Sequence, residues 1–331
     1  MSQCTVAVPG REAVSFECSP DETLLDAAAR AGWELPYSCR RGTCESCRAP
    51  VLEGEVSPPA REDGTTLLCQ AKARGDVRIA PDRIERASIA SRRTVKAKLY
   101  RVRMAAPDVA VVDLRFPAGV KVPFKAGQYL QVLLDGHEPR SFSMANTPRA
   151  SDAAQLHVRV LPGGLFGSKL LPTLQPGNEV QVELPFGDFH LREGDSPVLL
   201  VAGGTGFAPI QAILEEALPK QRGRSFTLYW GARQVDGLYA IEQVRKWEQK
   251  HPHFRFVGVV SDGEAPAPLR TGLVHEAVLA DHPTLAGHEV YACGAPALVA
   301  AARASFVTAK GLPPARFYSD AFVTTAAAVP S

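Results

Sequence analysis

Four cysteines, Cys39, Cys44, Cys47 and Cys69, follow the spacing C-x4-C-x2-C with one distant partner. Three thiolates from one tight loop, closed by a fourth from elsewhere in the chain, suit a [2Fe–2S] cluster. Such a loop needs turn-tolerant residues, and Gly42 supplies one. The same four cysteines could ligate zinc, although zinc sites more often join two short C-x2-C hooks. A cluster of the Rieske type needs two histidines, and residues 1–85 contain none. The total of seven cysteines is odd and four of them have metal-type spacing, which favours a reducing cytoplasm over a disulfide framework. Cys4 and Cys18 belong to no motif and read as packed thiols.

A second site lies far along the chain. Gly203-Gly204-Thr205-Gly206 follows the apolar run Pro197–Ala202 and precedes a helical stretch, Ile210 to Leu218. Glycines there let the backbone approach a pyrophosphate, and the helix N-terminus favours its charge. The loop is not the G-x-G-x-x-G fingerprint. After the next strand, Ser225–Trp230, Arg233 could grip a ribose 2′-phosphate and Asp236 could suit an unphosphorylated ribose, so NADH and NADPH both stay open.

These residues need a scaffold of more than one core. The chain has 331 residues, suited to two or three domains. Strands over 3–8 and 13–17, then a helix with Ser19 as N-cap, Pro20 in its first turn and Glu22 closing a capping box, lead to the cysteine loop. Leu24, Leu25, Ala28 and Ala29 form that helix's apolar face and Gly32 ends it. From Thr94 to His190 short alternating strands and Gly/Pro turns predict a small barrel. Residues 196–322 alternate strands (Ser225–Trp230, Phe254–Val260, Glu289–Ala292, Arg316–Tyr318) with helices, the pattern of a parallel sheet. The net charge is only +2, which does not point to nucleic acid. No apolar stretch approaches a membrane span, and no signal peptide is visible. Between Arg86 and Arg103 there are seven basic residues and no acids, either a solvated linker entering a strand or a strip for an acidic partner. Residues 1–85 carry 14 acidic and 10 basic residues, a net −4.

The motifs together resemble single-chain reductases of the ferredoxin–NADP⁺ reductase superfamily that serve bacterial aromatic-ring oxygenases, and the resemblance covers essentially the whole chain. It implies a plant-type ferredoxin of β-grasp α+β fold over 1–85, a linker over 86–93, an antiparallel β-barrel for FAD over 94–192 and a Rossmann-like α/β domain for NADH or NADPH over 193–331. FAD rather than FMN is implied because the FMN members place the ferredoxin last. Arg140-Ser141-Phe142-Ser143 resembles R-x-Y-S of the flavin site. Arg140 would pair with the flavin phosphate, Ser143 would place a hydroxyl near N5, and Phe142 would stack without the usual tyrosine hydroxyl. Tyr129 of Gly127-Gln128-Tyr129 would lie near the isoalloxazine. His157, Val158 and Arg159 would line the flavin tail. Gly163, Gly164, Gly167 and Ser168 match the pyrophosphate loop, where Gly167 replaces a usual Ser or Thr and leaves phosphate contact to Ser168 or to backbone N–H groups. Gly203, Gly204, Thr205 and Gly206 match the nicotinamide loop, and Cys293 and Gly294 match C-G-x-P beside the nicotinamide. In Ser319-Asp320-Ala321-Phe322, Phe322 would cover a flavin face and Asp320 would lie near N5. Glu45 stands where the family has Gly or Ser, and a carboxylate there would lower the cluster potential. The implied acceptor is a Rieske-type oxygenase, which Arg40 and Arg41 would meet if they do more than solvate the loop. A di-iron monooxygenase or a deoxysugar dehydratase as partner, or an iron–sulfur sensor with vestigial reductase loops, are the alternatives.

Overall fold

The structure is a computed structural model that describes residues 2–86 and 92–323. Of the expected linker over 86–93, residues 87–91 lie outside the described residues. The described chain divides into two compact units, residues 2–86 with 319–323, and residues 92–318.

In the first unit a five-stranded sheet runs in the order Val14–Cys18, Ser2–Val6, Val77–Ile79, Arg48–Glu53, Thr65–Leu67. Its central pair, Ser2–Val6 and Val77–Ile79, is parallel and its other pairs are antiparallel. The helix is shorter than the sequence suggests, Leu24–Arg30, and Thr23 caps it by accepting from the Asp26 N–H at 3.1 Å. Half of the expected capping box exists: the Ser19 N–H donates to Glu22 at 2.7 Å, but it closes a turn ahead of the helix. Ala27 rather than Ala29 joins Leu24, Leu25 and Ala28 in the core, as a seven-residue helix starting one turn later requires. Cys4 and Cys18 are packed in this core, as read from the sequence.

The second unit holds two sheets. Six antiparallel strands run in the order His137–Ser143, Tyr129–Leu134, Glu179–Phe186, Arg93–Ala106, Val109–Arg115, Ala153–Arg159. A bridge between Met144 and Leu156 joins the two ends and closes the barrel. Its core is lined by Val95, Ala97, Leu99, Val112, Leu130, Leu156 and Val182, the inward positions of a period-two pattern. The basic run enters this barrel as the long strand Arg93–Ala106, where Lys98 lies opposite Glu179 and Arg101 donates to Asp113 at 2.8 Å. Arg101 of the strip is thus paired within the sheet.

The remaining sheet has the order Arg270–Thr271, Phe254–Val260, Phe226–Ala232, Val198–Gly203, Glu289–Gly294, Phe317–Ala321, and its first five strands are parallel. The strand order reverses between Val198–Gly203 and Glu289–Gly294, so their carboxyl ends open a crevice where ligands of such sheets bind. A 3₁₀ turn at Gly204–Gly206 leads directly into the helix Phe207–Ala217, three residues earlier than expected. Pro209 did not delay it, because a first-turn proline gives up an N–H that has no partner there. Buried Arg224 anchors the sheet's base, pairing with Glu289 at 3.0 Å and donating to the Ser196 and Arg192 carbonyls at 2.7 and 2.9 Å. Among the described residues, no helix is long and apolar enough to cross a membrane.

Candidate functional site

The cysteine loop folds through three residues with left-handed backbone: Arg40 (φ 54°), Gly42 (φ 75°) and Glu45 (φ 58°). Two carry side chains, so the turn is held from outside. Arg40 pairs with Asp26 and lies over the Tyr37 ring at 5.4 Å, and its carbonyl accepts from Gln70 at 3.1 Å. Glu45 accepts from Arg61 at 2.7 Å and from Arg48 at 3.4 Å. The sequence alone suggested an unopposed carboxylate beside the cluster; these two guanidiniums largely offset its charge.

The four sulfurs come together as two pairs. Cys47 and Cys69 Sγ lie 3.2 Å apart, and Cys39 and Cys44 are linked by mutual thiol and N–H···S contacts, including Cys44 N–H to Cys39 Sγ at 3.4 Å. The Arg41 N–H also points at Cys39 Sγ, at 3.3 Å. Each pair has one sulfur biased toward thiolate, the form that binds metal. The Cys44 thiol brings Cys39 down to about 5, and the Cys47 thiol brings Cys69 down to about 7. Two such pairs of sulfurs fit a two-iron cluster.

On the barrel, Ser143 and Tyr129 are register partners on adjacent strands. Ser143 is 5% exposed, and its hydroxyl has no hydrogen-bond partner in the protein. A buried polar atom of that kind calls for a ligand. Tyr129 is buried and stacks on Phe186 at 5.4 Å, close against Gly187, where a Cβ would come within 2.8 Å of its ring. Arg140 donates only to the carbonyls of its neighbours Glu138 (2.6 Å) and Pro139 (3.5 Å), leaving its charge unspent on any described carboxylate. Ser141 is exposed, and Phe142 packs on Phe166 at 4.9 Å. These features fit a flavin and its phosphate.

Two tail residues differ from expectation. Val158 points into the barrel core, because strand alternation puts it on the face opposite His157 and Arg159, so only its backbone can meet a cofactor. Ser168 is already committed, its hydroxyl donating to the Leu161 carbonyl. Gly164 and Gly167 leave little room, since a Cβ would sit 3.0 Å from Leu161 O and 3.1 Å from Arg159 O, respectively, while Gly163 makes the turn at φ 74°. His157 is buried and bonds through Nδ1 to the Tyr239 hydroxyl at 2.8 Å. Burial, with Arg103 assisting and Asp113 opposing, pushes its pKa down to about 3, so the imidazole stays neutral.

At the crevice, two glycine loops interlock. A Cβ on Gly206 would lie 2.2 Å from Cys293 O, and one on Gly294 (φ 146°) would lie 3.1 Å from the Gly203 backbone. Cys293 is fully buried beneath this contact and Thr205 is 7% exposed. Trp230 Nε1 donates to the Gly204 carbonyl at 3.0 Å, which turns that oxygen inward. The Arg159 guanidinium lies against Gly204, 3.2 Å from where its Cβ would stand. Arg233 and Asp236 are both exposed on the loop after Phe226–Ala232. This bare backbone fits a dinucleotide diphosphate.

The carboxyl-terminal segment belongs to the first unit. Asp320 is 4% exposed beside Ser38 and Cys39; burial pushes it up to about 6, Cys39 adds to that and Ser38 opposes it. Phe322 is half-buried. The serine contacts of this segment with the cysteine loop, Ser319 Oγ to Cys44 O at 2.9 Å among them, were missed by sequence reasoning, which had no signal for pairing residues so distant in the chain.

Comparison with known proteins agrees with this geometry. A 2Fe-2S iron-sulfur cluster binding domain matches residues 8–74, an oxidoreductase FAD-binding domain residues 96–191 and an oxidoreductase NAD-binding domain residues 200–304. Terephthalate 1,2-dioxygenase reductase component 1 of Comamonas sp is 40% identical over 322 residues, covering 94% of this chain and 95% of that one. The chain belongs to the single-chain iron–sulfur flavoprotein reductases of the ferredoxin–NADP⁺ reductase superfamily. This reductase is an NAD(P)H-dependent oxidoreductase with FAD and a [2Fe–2S] cluster. The CDP-6-deoxy-L-threo-D-glycero-4-hexulose-3-dehydrase reductase of Yersinia pseudotuberculosis is 35% identical over 318 residues, 94% of this chain and 96% of that one. The crystal structure of a cytochrome P450 reductase from Amycolatopsis superposes with a TM-score of 0.77 at 34% identity, covering 97% of this reductase and 99% of that chain.

Proposed function

We propose that this reductase passes electrons from NADH or NADPH to a Rieske-type aromatic-ring dioxygenase, most closely of the terephthalate 1,2-dioxygenase kind. The observation that carries the reading is the 40% identity to the Comamonas reductase component across 94% of the chain. In this reading residues 1–85, 94–192 and 193–331 are the three functional domains, a division supported by the domain matches at 8–74, 96–191 and 200–304.

When bound, the nicotinamide supplies a hydride, the flavin converts a two-electron input to single electrons, and the cluster carries one electron at a time. The chain's own residues set the stage. Arg140 holds the flavin phosphate by charge-assisted hydrogen bonds. Ser143 would offer its unpartnered hydroxyl to N5, and Phe142 and Tyr129 would wall the ring. With Ser168 committed, the diphosphate falls to backbone N–H groups around Gly163, Gly164 and Gly167. Gly203, Gly204, Thr205 and Gly206 take the dinucleotide diphosphate, Arg233 the adenosine ribose, and Cys293 with Gly294 the nicotinamide. Cys39, Cys44, Cys47 and Cys69 ligate the cluster. Asp320 sits within the segment that packs on the cluster loop, beside Ser38 and Cys39. Arg41, exposed on the cluster loop, is a candidate for meeting the acceptor.

The test is reconstitution. The purified protein, carrying flavin and cluster absorption, is mixed with NADH or NADPH and a terephthalate dioxygenase component, and dihydroxylated product is measured. Coupled turnover is expected, with Arg41→Glu slowing it while ferricyanide reduction stays intact. Turnover with a deoxysugar dehydratase and none with the dioxygenase would transfer the assignment to that second reading, which the 35% identity to the Yersinia protein favours.

A further inference from the structure

Within the first unit, two serines separated by 273 positions exchange hydrogen bonds. Ser46, between two of the ligand cysteines, donates its hydroxyl to the Ser319 carbonyl at 2.7 Å. Ser319 donates its hydroxyl to the Cys44 carbonyl at 2.9 Å, and the two hydroxyl oxygens are 3.3 Å apart. The exchange is reciprocal, so each serine satisfies a carbonyl of the other segment. Ser319 is 3% exposed, where an unmade hydrogen bond is costly. The next residue, buried Asp320, lies beside Ser38 and Cys39, so consecutive residues of the segment grip the loop from both ends. The residue before, Tyr318, stacks on Tyr291 at 4.7 Å and lies beneath Arg192 at 5.1 Å, both in the second unit.

We propose that Ser46 and Ser319 are positioning residues: their exchanged hydrogen bonds clamp the segment 319–323 onto the ligand loop and set the rate at which electrons reach the cluster. Electron transfer weakens steeply with each gap between packed atoms, and a hydrogen bond is a shorter gap than a van der Waals contact. From Ser319 the bonded route to a cluster ligand is one hydrogen bond into Cys44 and then its own covalent bonds to Sγ. No proton or bond is exchanged by the serines; they fix distance and stiffness. The proposal rests on the reading that the cluster is filled from the flavin.

The experiment compares Ser46→Ala, Ser319→Ala and Ser46→Thr, which keeps its hydroxyl, in the full chain with flavin and cluster in place. After rapid mixing with NADH, bleaching is followed separately in the flavin and cluster bands. The flavin phase is expected to keep its rate, while the cluster phase slows severalfold in both alanine variants and recovers in Ser46→Thr. Amide hydrogen exchange supplies a second readout: Ser46→Ala is expected to quicken exchange across 317–323, and Ser319→Ala across 38–47, each by about tenfold, the equivalent of about 1.4 kcal/mol. Faster exchange with an unslowed cluster phase would reduce the serines to a structural role and overturn the proposal. Unchanged exchange would show that the clamp itself does not hold. If NADH fails to bleach the flavin of the unaltered protein, the functional reading falls first, and the electron-transfer part of the proposal falls with it.

Discussion

The cysteine loop and the paired glycine loops hold their cargo by opposite means. Around the cysteines the backbone is bent into left-handed geometry at Arg40 and Glu45, and long charged side chains keep it there. At Gly203, Gly204, Gly206 and Gly294 no side chain projects from the loops, and two stretches of bare backbone touch. The cargo explains the difference. A cluster is gripped by side-chain sulfur, so its loop must aim side chains and can support them with others. A diphosphate is gripped by backbone N–H groups, so its loop must have no side chains in the way. The charged side chains that prop the cysteine loop should be more replaceable than the glycines of the other.

Gly206→Ala is the most severe way to test the intolerant side. Its new Cβ would fall 2.2 Å from a backbone oxygen of Cys293, which no side-chain rotation can relieve. Overpacking of this kind costs roughly 1–3 kcal/mol, which falling on cofactor binding is about fivefold to 160-fold in affinity. The KM for NAD(P)H should rise accordingly while the cluster spectrum stays as it was. A KM within error of the original would break the contrast.

An intermediate effect concerns the neutral histidine behind the glycine loop. His157 is depressed by burial to about 3 from the usual 6.5. Above that usual value folded and unfolded chains both hold it neutral. On acidification from about 6.5 toward 3 the unfolded chain takes up the proton first, so stability is lost at up to about 1.4 kcal/mol per pH unit. Denaturant unfolding at pH 7 and pH 5, followed by tryptophan fluorescence, should show a smaller acid loss in His157→Gln than in the unaltered protein. Equal losses would show that the imidazole is not held neutral.

The smallest effect belongs to the tolerant side. Glu45→Gly relieves left-handed strain of about 1–2 kcal/mol and removes two partly exposed ion pairs of about 0–1 kcal/mol each. These nearly cancel, so the melting temperature should shift little and the cluster should assemble normally. A large loss of cluster content would mean that the ion pairs at Glu45, and not the backbone, fix the ligands.

What could be read from the residues alone divides along the same line. Contiguous motifs were legible: the cysteine spacing, Gly203–Gly206, Arg140–Ser143, and the alternation that marks the barrel. Their type and order carry the chemistry locally. What depends on residues far apart was not. The two guanidiniums that offset Glu45 come from Arg48 and Arg61. The contact that makes Gly206 indispensable is with Cys293, 87 positions later (293 − 206). Ser168, one of two expected sources of phosphate contact beside the backbone N–H groups, donates its hydroxyl to Leu161. Helix starts also misled, since Thr23 and Phe207 win over Ser19 and Ile210 through hydrogen bonds that spacing does not display.

The Ser46–Ser319 contact also has a consequence for biosynthesis. Chains emerge from the ribosome amino terminus first, and domains tend to fold as they appear. The cysteine loop is made early, yet two of its hydrogen bonds wait for a serine translated 273 residues later. Throughout that interval the nascent loop lacks these two supports, and only the translation of Ser319 supplies them.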